Sequence, residues 1–213
     1  MIEFAFMSFT TLFVIVDPIG LIPIFLSLTS EMTSHQRART ALWATVMAAG
    51  ILIGSAILGQ RLLELFGISL AAFRIAGGMM LFYTAFEMVF ENRQKRRSAR
   101  ADIKVDDGHI RELAAFPLAI PLLAGPGAIT ACILLAGQPG VGPLSLFVLI
   151  VVIMVISALA LLAFIAAQPL NAYLGETGKI LLTRLLGVLL AALAVQFVVD
   201  GVIDTIKMRL PGS

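Results

Sequence analysis

Charged side chains are scarce in this sequence. They make up 13% of its 213 residues, against about 25% in soluble domains. With 60% hydrophobic residues and a mean hydropathy of +1.02, there is more apolar side chain than one soluble core buries and too little charge to cover it. That excludes a cytosolic enzyme, a disordered chain and a nucleic-acid binder. Cysteine occurs once, at Cys132 inside an apolar run, so neither a disulfide framework nor a metal cluster is expected. Histidine occurs twice, at His35 and His109, in polar loops with no ligand spacing around either. No Ser/His dyad, HExxH, P-loop, haem or zinc pattern is found. An intramembrane enzyme would need paired catalytic groups, and only scattered carboxylates remain. Neither an enzyme nor a cofactor is expected.

What the sequence does have is apolar runs. A spanning helix takes roughly 20 residues, and six such stretches are read at about 4–29, 41–60, 70–90, 113–136, 144–167 and 180–206. The expected class is an all-α, polytopic membrane protein whose first partner is the lipid bilayer. The first run has only Glu3 and no positive n-region ahead of it, so a span is expected there rather than a cleavable signal. Thr33 and Gln36 are spaced as a capping box ahead of the second. Pro139-Gly140-Val141-Gly142-Pro143 is expected to be a tight turn between the fourth and fifth. Arg61 to Ser69 reads as a short interfacial helix with Leu62, Leu65 and Phe66 on one face.

Lysine and arginine are unevenly spread. Arg37 and Arg39 fall in the 1–2 loop and Lys179 in the 5–6 loop. The 3–4 loop holds Arg93, Lys95, Arg96, Arg97, Arg100, Lys104 and Arg111. Only Arg61, Lys207 and Arg209 lie on the other side. The positive-inside rule then puts the 93–112 loop in the cytoplasm and both termini in the periplasm, in a cell inner membrane. Asp102, Asp106 and Asp107 follow the basic run and dilute it, so it reads as a topology determinant and not as a nucleic-acid patch.

An internal repeat is visible. Asp17-Pro18-Ile19-Gly20 in the first span matches Gly125-Pro126-Gly127-Ala128 in the fourth, with Pro18 and Pro126 separated by 108 residues. Arg74-Ile75-Ala76-Gly77 matches Arg184-Leu185-Leu186-Gly187 at an offset of 110. Two landmarks at nearly one offset suggest a duplicated three-helix unit, 1–92 and 113–213, joined by the charged linker 93–112. An odd number of spans per copy makes the repeats inverted, as in secondary transporters.

Proline and glycine near the middle of a span break it, and such breaks persist only where protein or a water-filled cavity satisfies the freed backbone. Here helices 1 and 4 are expected to be broken near mid-membrane, in matching positions, which points to a substrate site. The expected site is Asp17, Pro18, Gly20, Gly125, Pro126, Gly127 and Thr130. Half-helix N-termini would favour a carboxylate there, and Asp17 would take an ammonium group or a coupling cation. Such a site suits a small zwitterion, with a proton or sodium as the candidate coupling ion. The competing reading is a pair of packing kinks.

Other charges lie inside spans, where each costs a few kcal/mol or more and usually has a partner. Arg74 with Asp200, and Arg184 with Glu87, are expected to form outer and inner gate pairs. The alternative is that each snorkels to its own interface. Gln196 and Tyr83 are candidate cavity-lining residues. Gly50 and Gly54 make a GxxxG match, and Gly77 and Gly78 line the third span. These permit close packing within the bundle or in a homo-oligomer.

Four ordered stretches carry a likeness: Val16-Asp17-Pro18-Ile19-Gly20-Leu21-Ile22-Pro23-Ile24-Phe25, Phe73-Arg74-Ile75-Ala76-Gly77-Gly78, Ala124-Gly125-Pro126-Gly127-Ala128-Ile129 and Val195-Gln196-Phe197-Val198-Val199-Asp200-Gly201. Together they resemble the MarC family, also called UPF0056 or the neutral amino acid transporter family, over nearly the whole chain. The family pattern commonly has Asn where this chain has Asp17, and Asn is also frequent at the place of Asp200. The resemblance implies a six-span inner-membrane protein with periplasmic termini, related to six-span amino-acid exporters. The expected function is alternating-access transport of small neutral amino acids such as alanine and glycine. The rivals are a channel-like pore and a non-transporting membrane protein.

Overall fold

The computed structural model describes residues 1–90, 107–138 and 140–209, and among them the regular structure is entirely helical. The elements are α1 (Ile2–Val16), α2 (Ile22–Leu28), α3 (Ser34–Leu65), α4 (Leu70–Val89), α5 (Asp107–Leu113), α6 (Ala114–Leu123), α7 (Pro126–Ala136), α8 (Pro143–Ile165) and α9 (Ala167–Arg209). Three helices are long and apolar enough to cross a membrane: α3, α8 and the Ile180–Lys207 part of α9. A fourth candidate is Ile110–Leu123 with Pro126–Ala136, bent by 58° at the break and long and apolar enough to cross if the pair counts as one span. α1 is short, and α4 carries Arg74 and Glu87.

Local chemistry accounts for the boundaries. Thr33 and Gln36 form the expected capping box, with Gln36 N donating to Thr33 Oγ1 and Thr33 N to Gln36 Oε1. Ser69 caps α4 by accepting from Ala72 N at 3.1 Å. α7 ends at Ala136 and α8 begins at Pro143, so the Pro/Gly stretch is a turn as expected, with Gly140 at φ 83. Residue 139 lies outside the described residues, as do 91–106, which include most of the expected linker and its basic run. The linker's end is helical, as α5.

Two expectations are corrected. No separate interfacial helix spans Arg61 to Ser69, because α3 runs unbroken to Leu65 and only Phe66 to Ile68 form the turn into α4. Nothing in Gly59-Gln60-Arg61-Leu62 breaks a helix strongly, and Leu63 is buried on the same face as Ala56 and Gly59. The expected 5–6 loop is also helical, since α9 starts at Ala167 with only Ala166 between it and the end of α8. Pro169 sits in its first turn, where proline is tolerated.

Packing is dominated by small residues. α3 lays an alanine stripe (Ala41, Ala44, Ala48, Leu52, Ala56) against α8, α6 and α7. α4 runs antiparallel along α9 on a seam of facing glycine and alanine. Ala71 meets Gly201, Gly78 meets Ala194, and Ala85 meets Gly187, seven residues apart along both helices. A β-carbon on Gly78 would lie 2.8 Å from the Ala194 carbonyl oxygen, and one on Gly201 2.8 Å from that of Ala71. Without a hydrophobic drive between helices in lipid, such close backbone approach is what holds the pair. Gly50 and Gly54 do not serve this purpose, because neither has another part of the chain within 4 Å of where a β-carbon would sit. α2 is anchored by Phe25, fully buried and stacked on Phe164 of α8 with ring centroids 4.3 Å apart.

Candidate functional site

Both expected breaks are present, and they are built differently. At the first, Asp17 ends α1 in the left-handed region at φ 46, ψ 64. Its Oδ1 accepts from Gly20 N at 3.0 Å, and its carbonyl accepts from Leu21 N at 3.2 Å. The order Asp-Pro-x-Gly is a turn signature, with Asp bonding the backbone ahead, Pro fixing φ and Gly in the fourth place. Gly20 is needed for space as well, since a β-carbon there would overlap Asp17 Oδ2. Asp17 is 1% exposed. Its carboxylate therefore answers the positive end of the following helical turns from within the chain.

The second break is longer than its glycines suggest. Phe116 (φ −141, ψ 122) and Ile120 (φ −121, ψ 123) are both extended, and each precedes a proline, Pro117 or Pro121. The ring of a following proline pushes the preceding residue out of the helical region. α6 is consequently a widened, irregular helix. Gly125 then starts α7, with Pro126 in its first turn and no side-chain cap. Gly125 lies against the Pro121 carbonyl oxygen, where a β-carbon would come within 2.5 Å.

A cavity of about 520 Å³ opens at this N-terminus. Pro121 to Leu123 and Gly125 to Ala128 form one wall, Ile15 at the end of α1 closes it, and α4 forms the other wall. α4 contributes Ala76, Met79, Met80, Tyr83, Thr84 and Glu87. Glu87 is half-buried and makes no ion pair among the described residues. The uncapped N-terminus of α7 and Glu87 thus line the same cavity, with apolar surface around them. The volume falls within the roughly 300–1,000 Å³ of small-molecule sites.

Of the expected site residues, Gly125, Pro126, Gly127, Glu87 and Tyr83 come together here. Asp17, Pro18 and Gly20 are not among the residues that line this cavity, and Asp17 Oδ1 is held in its own turn. Thr130 is buried and packs on Gly77, where a β-carbon would collide with its methyl group. Gln196 is exposed on α9, donates to Asp200 Oδ1 at 2.7 Å and is not among the residues that line this cavity. Sequence spacing missed Thr84, Pro117 and Pro121. The two prolines were a readable signal, since each breaks the helix it enters.

The charge pairs differ from expectation. Arg74 Nη1 bonds Asp204 Oδ2 at 2.7 Å, one helical turn beyond the expected Asp200. Asp200 instead accepts from Gln196. Arg184 is exposed with a contact of its own, and among the described residues it is not paired with Glu87, which faces the cavity. The Arg74–Asp204 bond spans the two halves of the sequence and ties α4 to α9. Asp204→Asn is expected to lower stability by about 1 kcal/mol, less than a fully buried pair because the Asp204 side chain is 39% exposed. Glu64→Gln, in an exposed α3 contact, should change it by less than about 0.5 kcal/mol. Thermal unfolding in detergent measures both, and the charge swap Arg74→Asp with Asp204→Arg should recover part of the loss.

Comparison with known proteins bears on these features together. The chain is 37% identical over 204 residues to a UPF0056 membrane protein of Archaeoglobus fulgidus, covering 95% of this chain and 94% of the relative. It is 35% identical over 202 residues to the UPF0056 membrane protein MJ1677 of Methanocaldococcus jannaschii, covering 94% and 97%. The UPF0056 membrane protein YhcE of Escherichia coli is 37% identical over 201 residues, covering 92% and 91%. No solved structure matches the chain. The family model described as MarC family integral membrane protein matches residues 2–206, a stretch that takes in both breaks, the cavity and the α4–α9 seam. On that match and these relatives, the chain belongs to the MarC family of multi-pass integral membrane proteins.

Proposed function

We propose that this protein is an inner-membrane secondary transporter for small neutral amino acids such as alanine and glycine, working by alternating access and not as an enzyme. The observation that carries the reading is the cavity of about 520 Å³ between the uncapped N-terminus of α7 and Glu87 of α4. A zwitterion fits that polarity, its carboxylate at the α7 backbone N–H groups and its ammonium at Glu87. Glu87 thereby takes the role first expected of Asp17, and a proton or sodium remains the candidate coupling ion at the same carboxylate.

Two inverted three-helix repeats, 1–92 and 113–213 joined by 93–112, are the architecture we assign. The packing supports it, because exchanging the halves maps contacts onto contacts. α3 packs on α8 and α4 on α9, while α1 with α2 against α8 answers α6 with α7 against α3. α4 against α7 likewise answers α9 against α1 and α2. Six spans follow if α1 with α2 make the first and α4 the third, with helices 1 and 4 both broken. Both termini are then periplasmic and the 93–112 loop cytoplasmic. That orientation is supported by Arg111 lying 5.4 Å from the Trp43 ring, which gathers a basic residue and an interfacial aromatic at the Arg37–Arg39 end.

Counterflow of labelled alanine and glycine in proteoliposomes tests the reading. Saturable uptake, competed by unlabelled substrate, is expected for the wild type, with at least a tenfold loss in Glu87→Gln. Flux that never saturates would favour a channel-like pore. Absence of uptake of either amino acid, in either gradient, removes the transporter assignment.

A further inference from the structure

The outward face of α9 is unlike that of the other long apolar helices. It is the least covered of them. Of its most apolar window 22% is buried, against 39% in α3 and 33% in α8. One side of α9 is committed to α4 through Gly187, Ala194 and Gly201. The exposed side carries Leu185, Val188, Ala192, Val195, Val199 and Val202, at alternating three- and four-residue spacing. Such spacing presents a continuous seam to a second helix.

Beside that seam lie Gln196, exposed, and its acceptor Asp200. The register of α4 against α9 gives their depth. Ala71 meets Gly201 and Gly78 meets Ala194, so Gln196 stands level with the stretch around Ala76. α4 starts at Leu70, which puts Gln196 about 10 Å along the helix from the end of the span at a 1.5 Å rise per residue. Asp200 stands level with Ala72, close to that end, so Gln196 is the deeper of the two. A polar group on a lipid-facing surface is costly and usually faces a bundle interior or a partner helix. The outward face of α8 is the contrast: Leu144, Phe147, Val151, Met154 and Leu162 suit lipid alone.

We propose that the exposed face of α9 is the interface with a second copy of this chain, formed around Gln196 and Asp200. Two copies inserted in the same direction present the same seam at the same depth, related by a twofold axis along the membrane normal. An amide holds both donors and an acceptor, so Gln196 is self-complementary across such an axis. Polar side chains of this kind act as glue between helices in lipid. The Gly50–Gly54 face of α3 is a weaker candidate, since small residues there come with no polar group needing cover.

Cross-linking in native membranes tests the proposal without any transport measurement, so its failure is separable from failure of the transporter reading. In a Cys132→Ser background, Val195→Cys and Val199→Cys are expected to give a dimer band with a short bis-maleimide, while Phe147→Cys and Val46→Cys give none. In a second measurement, photobleaching steps of labelled protein diluted into liposomes should show wild-type dimers. The double variant Gln196→Leu with Asp200→Leu should shift them at least tenfold toward monomers. A dimer band from α3 or α8 without one from α9 overturns the proposal. So does a wild type that stays monomeric at every protein-to-lipid ratio, or a folded double variant that dimerises like the wild type.

Discussion

Gly78→Leu should leave no monodisperse folded protein after detergent extraction, whereas Gly54→Leu should be extracted and unfold like the wild type. The two glycines are both helical and both in apolar runs, so helix propensity favours each substitution by up to about 1 kcal/mol. Packing decides the sign. At Gly78 even a β-carbon meets a backbone oxygen of α9 at 2.8 Å and a methyl of Val198 at the same distance. A backbone oxygen cannot turn aside as a side chain can, so α4 and α9 must separate along their length. Overpacking of a core typically costs roughly 1–3 kcal/mol, and here it also loosens the neighbouring Gly187 and Gly201 contacts of the same seam. Gly78→Ala should fall between, with a lowered but measurable unfolding midpoint. At Gly54 nothing lies within 4 Å, so the leucine side chain extends into lipid. Size-exclusion profiles and thermal unfolding read all three variants. A Gly78→Leu protein with the wild-type midpoint would show that the α4–α9 seam does not hold the fold.

That contrast also indicates what a sequence can and cannot disclose about such a bundle. Apolar runs give the helices, because each run long enough to span has few alternatives in lipid. Motif spacing gives the breaks, since proline has no N–H to donate wherever it lies. Which glycine touches which helix is a property of rotation about the helix axis and of register. Gly50, Gly54, Gly77 and Gly78 look alike along the chain and differ only in the direction they face. The charge pairs fail for the same reason. Asp200 and Asp204 are one turn apart on α9, and a long arginine side chain reaches either from Arg74. Depth along the span was legible, and the choice between the two aspartates needed the packing of α4 on α9. The site shifted for a different cause. In the sequence an acidic residue beside a break suits a ligand, and Asp followed by Pro and then Gly suits a turn equally well. The turn occupies Asp17 Oδ1, and an N-terminus with no side-chain cap lies at the other break, where Gly125 and Pro126 supply no side chain to close it.

The distinction between a turn residue and a ligand residue can be drawn by experiment at Asp17. Asp17→Asn is expected to fold within about 1 kcal/mol of the wild type, because asparagine keeps the oxygen that accepts from the Gly20 N–H and also tolerates the left-handed region. Asp17→Ala should lose more, about 2–3 kcal/mol. It removes the acceptor, a capping loss of about 1 kcal/mol, and forces a residue with a β-carbon to hold φ 46, at roughly 1–2 kcal/mol. Asp17→Gly relieves only the second part and should lie between the two. Unfolding midpoints of the three variants therefore rank Asn above Gly above Ala. If the negative charge itself holds an ammonium or a coupling cation, the ranking changes in transport and not in stability. Asp17→Asn would then fold normally and carry nothing. On the geometry here its flux should stay within about twofold of the wild type, while Glu87→Gln, equally well folded, loses uptake. Both carboxylates are replaced by amides of the same shape, so the pair of variants isolates charge from packing. A transport-dead Asp17→Asn beside an active Glu87→Gln would return the cation role to the first break and remove it from the cavity wall.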